Sequence, residues 1–173
     1  PIAMPVPKTA DVAIGGTWKF MFERPIDGDK FADKATINDH YSTFSTAMPR
    51  ERRLTFCSGY GCRTQKGMTI SADTLLALRS LYENKVKDGV SERAFFAEAI
   101  AVLEKATSEA AGVKDDRPSI DFSGAGDPGQ LDCVDEATNS TSFLIILGTY
   151  GMVRFHRIRK PLWKGGVLRW THY

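Results

Sequence analysis

Apolar residues recur at helical spacing along the middle and the second half of the chain. In "ADTLLALRSLYENKV" (72–86), Leu75, Leu78 and Tyr82 share one face; Ser71 stands at the N-cap position and "KDG" stops the run. In "ERAFFAEAIAVLEKATSEAA" (92–111) the stripe is Phe95, Ala99, Val102, Leu103 and Ala106, with Ser91 as the expected cap and Gly112 as terminator. A third helix is expected over 132–147, "DCVDEATNSTSFLIIL", ended by Gly148 and Gly151. The stripes are read as core packing.

Alternation of apolar and polar positions marks strands at "RRLTFC" (52–57), "GMTIS" (67–71), "MVRFHRI" (152–158) and "VLRWTHY" (167–173), and less regularly at "TWKFMFER" (17–24). The last two C-terminal runs are joined by "RKPLWKGG", so a hairpin carrying His156 and His172 is expected. Residues 1–16, with three prolines and a closing "IGG", read as an extended arm, and 25–40 as loop with a short helical turn. The Gly-, Pro- and Asp-rich stretch 112–130 is a long irregular connection, a kind of segment that often carries function. The expected fold is α+β: an arm over 1–16, then one domain over 17–173. In that domain N-terminal helices precede a cysteine-bearing helix packed on a small antiparallel sheet.

A length of 173 residues with 42% hydrophobic and 25% charged content suits a single globular unit. A net charge of +2 is too mild to point to nucleic acid, and the basic runs at 49–56 and 154–166 are read as solvated surface. No apolar run is long enough to span a bilayer, which leaves peripheral membrane association open. The chain begins "PIAMPVPK" without methionine, which fits a removed leader.

Cys57 and Cys62 flank "SGYG", a turn-forming tetrapeptide that brings two sulfurs within disulfide range. A bridge there implies an oxidising, extracytoplasmic (periplasmic) compartment and leaves Cys133 as the remaining thiol. A zinc site on Cys57, Cys62, Cys133 and a histidine is the weakest reading, because no second closely spaced pair completes it. No metal or other cofactor is expected.

Cys133 falls in the first turn of its helix, where unsatisfied backbone N–H groups and the positive end of the helix dipole favour a thiolate and would receive an oxyanion. His172 is the preferred base, with His156 second, and the Gln130 amide would add an oxyanion donor. Glutamine three residues before a cysteine that opens a helix, followed by histidine-bearing strands, resembles the core of papain-like and transglutaminase-like cysteine enzymes. More narrowly, "SERAFFAEAIAVLEK", "GQLDCVDEATNSTSFLIIL" and "MVRFHRI" are similar to an uncharacterised family of bacterial proteins. In that family a later strand opens on a His-Thr-like motif and a later Asp precedes Ser-Trp. The likeness covers about residues 91–173.

The resemblance implies acyl transfer or amide hydrolysis through a thioester on Cys133. The papain-like order also wants an Asp or Asn after the histidine, and none follows His172 in this sequence, so the expectations are an orienting group from elsewhere in the chain, one beyond Tyr173, or a degenerate site. Asp132, Asp135 and Glu136 stand beside the thiol and oppose its ionisation. The competing expectations are a small buried cysteine in a helix cap, and a non-catalytic accessory subunit of a larger assembly. The accessory subunit would dock through Trp163, Trp170, Arg157 and Arg159. Asn139-Ser140-Thr141 matches a glycosylation sequon but falls inside the expected helix.

Overall fold

The computed structural model describes residues 34–113, 116–117, 122–162, 164–166 and 169–172, the last two spans by their backbone path. Within them the chain is α+β: α1 (Lys34–Thr43), β1 (Arg53–Ser58), β2 (Thr64–Thr69), α2 (Ala72–Lys85), α3 (Gly89–Ala111), α4 (Cys133–Thr149), β3 (Lys164–Gly166) and β4 (Arg169–His172). A single 3-10 turn, Phe122–Gly124, interrupts the connection from α3 to α4. The expected arm at 1–16 and strand at 17–24 lie outside the described residues.

β1 and β2 form an antiparallel hairpin that pairs Leu54 with Met68 and Ser58 with Thr64. β3 and β4 form a second one, with Lys164 opposite His172. α4 packs against β1 on one side and α3 on another, while α2 and α3 lie together. Phe95, Leu103, Phe143, Ile146, Leu147 and Met152 are fully buried between these elements, and each large apolar side chain contributes about 2 kcal/mol by leaving water. The Tyr82 and Phe95 rings meet edge to face at 5.0 Å.

Local chemistry moves several boundaries. Ser71 caps α2 as expected, its side chain accepting from the Thr74 N–H. For α3 the cap is Asp88 rather than Ser91: the Asp88 carboxylate accepts from the Val90 and Ser91 amides, and the Ser91 hydroxyl accepts from the Asp88 N–H in return. A carboxylate at N-cap with a returning hydroxyl three residues on outcompetes a serine cap, and the helix gains a turn. Gly112, at φ 90°, ends α3 in the left-handed conformation expected of it. α1 is ten residues long where only a turn was expected; Ile37, His40 and Tyr41 are its buried face. Gly148 is buried inside α4, so Gly151 alone, at φ 74°, turns the chain out of that helix.

The run 152–156 does not form the expected strand, because a buried carboxylate takes its amides. Glu92, with no exposed surface, accepts from the backbone N–H of Arg154 at 2.6 Å and Phe155 at 2.8 Å, from the Tyr82 hydroxyl at 2.6 Å, and bonds His156 Nδ1 at 2.7 Å. Amides aimed at one carboxylate cannot join a ladder. The C-terminal hairpin therefore consists of 164–166 and 169–172, and α4 packs on the earlier hairpin, β1–β2.

α4 is buried nearly all round. Residues 143–148 are all buried, and so is a polar seam at helical spacing, Asp135, Thr138, Asn139 and Ser142. Each seam residue has a partner: Thr138 Oγ1 bonds His40 Nε2 at 2.9 Å, and Ser142 Oγ bonds Tyr41 Oη at 2.8 Å. Asn139 brackets one residue of β1, accepting from the Cys57 N–H at 2.8 Å and donating to the Cys57 carbonyl at 2.9 Å. A side-chain amide thus stands where no strand among the described residues pairs with this edge of β1. The sequon asparagine is consumed in that bracket and is inaccessible to glycosylation in the folded chain.

Replacing Asn139 by Ala should cost about 2–4 kcal/mol, because two buried backbone groups lose their partners together. Equilibrium urea unfolding checks this, and a loss below about 0.5 kcal/mol would mean the bracket is dispensable.

Candidate thiol site at the amino end of α4

Three segments meet where α4 begins. The loop after β1 passes through four consecutive left-handed residues, Gly59 (φ 78°), Tyr60 (70°), Gly61 (68°) and Cys62 (56°). Glycine adopts this region freely, whereas Tyr60 and Cys62 each pay about 1 kcal/mol for it. The disulfide between Cys57 and Cys62 closes the loop, with a Cα–Cα distance of 4.5 Å. A ring this short contributes about 2 kcal/mol in the chain-entropy account.

The left-handed turn aims successive amides in one direction, and the first turn of α4 receives them. Asp135 accepts from the Tyr60 N–H at 2.8 Å on one carboxylate oxygen and from the Cys62 N–H at 2.6 Å on the other. Asp132 accepts from the Gly61 N–H at 3.1 Å. The two aspartates also cap the helix reciprocally, Asp132 accepting from the Asp135 N–H at 2.9 Å and Asp135 from the Asp132 N–H at 3.2 Å.

Residues 116–117 and 122–131 close the other side. Gln130 is buried, and its side-chain oxygen accepts from the Arg117 backbone N–H at 3.1 Å and from Arg117 Nε at 3.3 Å. Its Nε2 donates to the Gly129 carbonyl, and its own carbonyl accepts from the Gly59 N–H at 2.8 Å. Asp116 accepts from the Leu131 N–H at 2.9 Å. Gly124 sits where a methyl group would come to 3.0 Å from Tyr60 Oη and 3.2 Å from Gln130 Cγ, so a side chain here would have to push both neighbours aside by a few tenths of an ångström. The Gln130 amide, expected as an oxyanion donor, is here a brace between the long connection and the segment leading into α4.

Cys133 is the first residue of α4, half-buried and outside the disulfide. Its helix terminus is strongly acidic. Burial, opposed by the amides of Cys62, Asp132 and Tyr60 and reinforced by the Asp132 charge, pushes Asp135 up to about 6. Burial, then Glu104, Asp116, Asp132 and Asp135, push Glu136 up to about 7. Glu104 and Asp116 are themselves raised, first by burial. These carboxylates work against the helix dipole at the thiol.

The histidines part company. His156 is tied at the amino end of α3, with Nδ1 on Glu92 and Nε2 3.2 Å from Arg93 Nη1. Such an arrangement gives a structural imidazole. His172 lies in β4, opposite Lys164. His40, which the sequence pattern did not single out, is lowered to about 4, first by burial and then by Lys160, so it is neutral in its contact with Thr138. Arg157 and Arg159 are half-buried; Trp163 lies outside the described residues, and Trp170 is in β4. The metal reading loses two of its sulfurs to the disulfide, and no group of three or more His, Cys, Asp or Glu residues able to hold a metal occurs among the described residues.

Comparison with protein-family models, curated proteins and solved structures finds no significant match to the chain.

The raised carboxylates have a definite pH signature. An acid that holds its proton more tightly folded than unfolded contributes stability below its folded pKa and loses it as the pH rises through that value. The window here runs from the ordinary Glu range near 4.3 up to about 7 for Glu136. Glu136→Gln should therefore be more stable than the wild type at pH 8 by about 1–2 kcal/mol, a figure discounted for partial exposure, and nearly equal to it at pH 4.5. Urea midpoints at the two pH values test this; an equal difference at both would show that Glu136 carries no such strain.

Proposed function

We propose that the chain is a thiol protein with a papain-like or transglutaminase-like core, with Cys133 as nucleophile for acyl transfer or amide hydrolysis. The observation that carries this reading is the placement of the one cysteine outside the disulfide at the first residue of the most buried helix. A braced loop and a disulfide-closed turn meet at the amino end of that helix, on Asp135 and the segment leading into Cys133. In this reading His172 serves as general base. The positive end of the α4 dipole faces the oxyanion, the Asp135 N–H being taken by the Asp132 cap, and Gln130 holds the approach to the thiol rather than touching the substrate. Attack on the acyl carbon would form a thioester and release the amine or alcohol; water or a second amine would then displace the thiol. The disulfide fits an oxidising, extracytoplasmic setting. No helix among the described residues is long and apolar enough to cross a membrane.

A second reading has its own support. The carboxylates of Asp132, Asp135 and Glu136 around the thiol are what an inert helix cap tolerates and what a thiolate opposes. On this reading the protein is an accessory subunit that docks on a larger assembly through the basic C-terminal region with Arg157, Arg159, Trp163 and Trp170.

An activated ester separates the two. The first reading expects a burst of one product per chain and an acyl group on Cys133 by peptide mass spectrometry, abolished in Cys133→Ala and slowed at least 100-fold in His172→Gln. A Cys133 that acylates no faster than a thiol in a denatured control leaves the accessory reading in its place.

A further inference from the structure

The turn at 59–62 combines backbone strain, a covalent clasp and a direct grip on α4. Two of its four left-handed residues are not glycine. The hairpin beside it is already zipped by β1–β2 pairing up to Ser58 and Thr64, so the Cys57–Cys62 bridge constrains mainly the turn itself. The same turn delivers three amides to Asp132 and Asp135, one and two residues from Cys133 along the chain. We propose that the Cys57–Cys62 disulfide is a redox-sensitive latch on the amino end of α4, whose state sets the reactivity of the Cys133 thiol.

The reaction needs an external dithiol as reductant. One of its thiolates attacks a sulfur of the bridge and forms a mixed disulfide. Its second thiol then displaces the protein sulfur, leaving the reductant oxidised to a disulfide and Cys57 and Cys62 as two thiols. Two electrons and two protons pass to the protein. Freed of the clasp, Tyr60 and Cys62 relax toward negative φ, and their N–H groups swing off the Asp135 carboxylate. Those amides place partial positive charge against the two carboxylates. The opened turn also returns Asp135 to water and relieves the burial that holds its proton. An ionised carboxylate no longer answered by amides then stands beside Cys133, whose thiolate becomes harder to form. Unlatched, the protein has a less reactive Cys133.

This inference does not require acyl transfer, because it concerns the thiol itself and is read by alkylation. The full chain is treated with dithiothreitol under native conditions and then with iodoacetamide near pH 7, and the peptides containing Cys57, Cys62 and Cys133 are followed separately by mass spectrometry. Reduction should slow Cys133 alkylation about tenfold, the effect of one unit of thiol pKa, and reoxidation should restore it. The double variant Cys57→Ser, Cys62→Ser should show the slow rate with or without dithiol. Hydrogen exchange should rise at 59–62 and stay constant in α2 and α3. A rate that is unchanged or faster overturns the latch. So does a bridge that dithiothreitol cannot open in the folded protein, and so does loss of protection throughout the chain on reduction, which would make the bridge a global staple.

Discussion

The Asp135 carboxylate is where the fold is tied together. It is fully buried, yet both its oxygens are occupied by backbone N–H groups from the disulfide-closed turn and from the residue that caps its own helix. A charge taken out of water is tolerable only when it is answered by donors fixed in place. The turn supplies them by adopting a left-handed path that it would not hold alone. Helix start, loop conformation and β1 are thus interdependent: α4 can begin at Cys133 only if the chain seventy residues earlier is already turned.

Glu92 plays the corresponding role at the other end of the core. It gathers a tyrosine, a histidine and two backbone amides onto a helix terminus and diverts the chain after α4 away from strand formation. The architecture is therefore built from apolar helix faces whose ends are registered by buried carboxylates. Hydrophobic burial supplies the cohesion, while Glu92 and Asp135 fix where each connection goes.

This division explains what could be read from the chain beforehand. The face of α2, most of the face of α3 (where Ala106 is exposed and Thr107 is buried instead), the first turn of α4 with Cys133 in it, the β1–β2 strands, the disulfide and the α+β class follow from periodicity and turn chemistry, which are local. What escaped were the features set by distant partners: the Asp88 cap, which hides inside an apparent stop signal, and the bend at 152–156, whose alternation is that of a strand until Glu92 takes its amides. Polar residues such as those of "DEATNSTS" on a helix fit a solvated face and a buried seam equally well. Their spacing at 135, 138, 139 and 142 was the available sign of a buried seam, but only the partners on α1 and β1 distinguish the two cases. At the candidate site, sequence placed the thiol correctly, but gave Gln130 to an oxyanion when its side chain holds Arg117.

The seam on α4 also bears on how freely this chain can drift. Ser142 with Tyr41 is a bond between two side chains, so a change at one strands a buried polar group at the other, whereas the Thr138 hydroxyl that meets His40 also holds the Val134 carbonyl. Asn139 differs, since it grips the backbone of residue 57 and is indifferent to the side chain there. Divergent copies of this protein could therefore lose Cys57 while keeping Asn139, but should exchange Tyr41 and Ser142 together. Asn139 would then mark the fold in copies that have shed the disulfide.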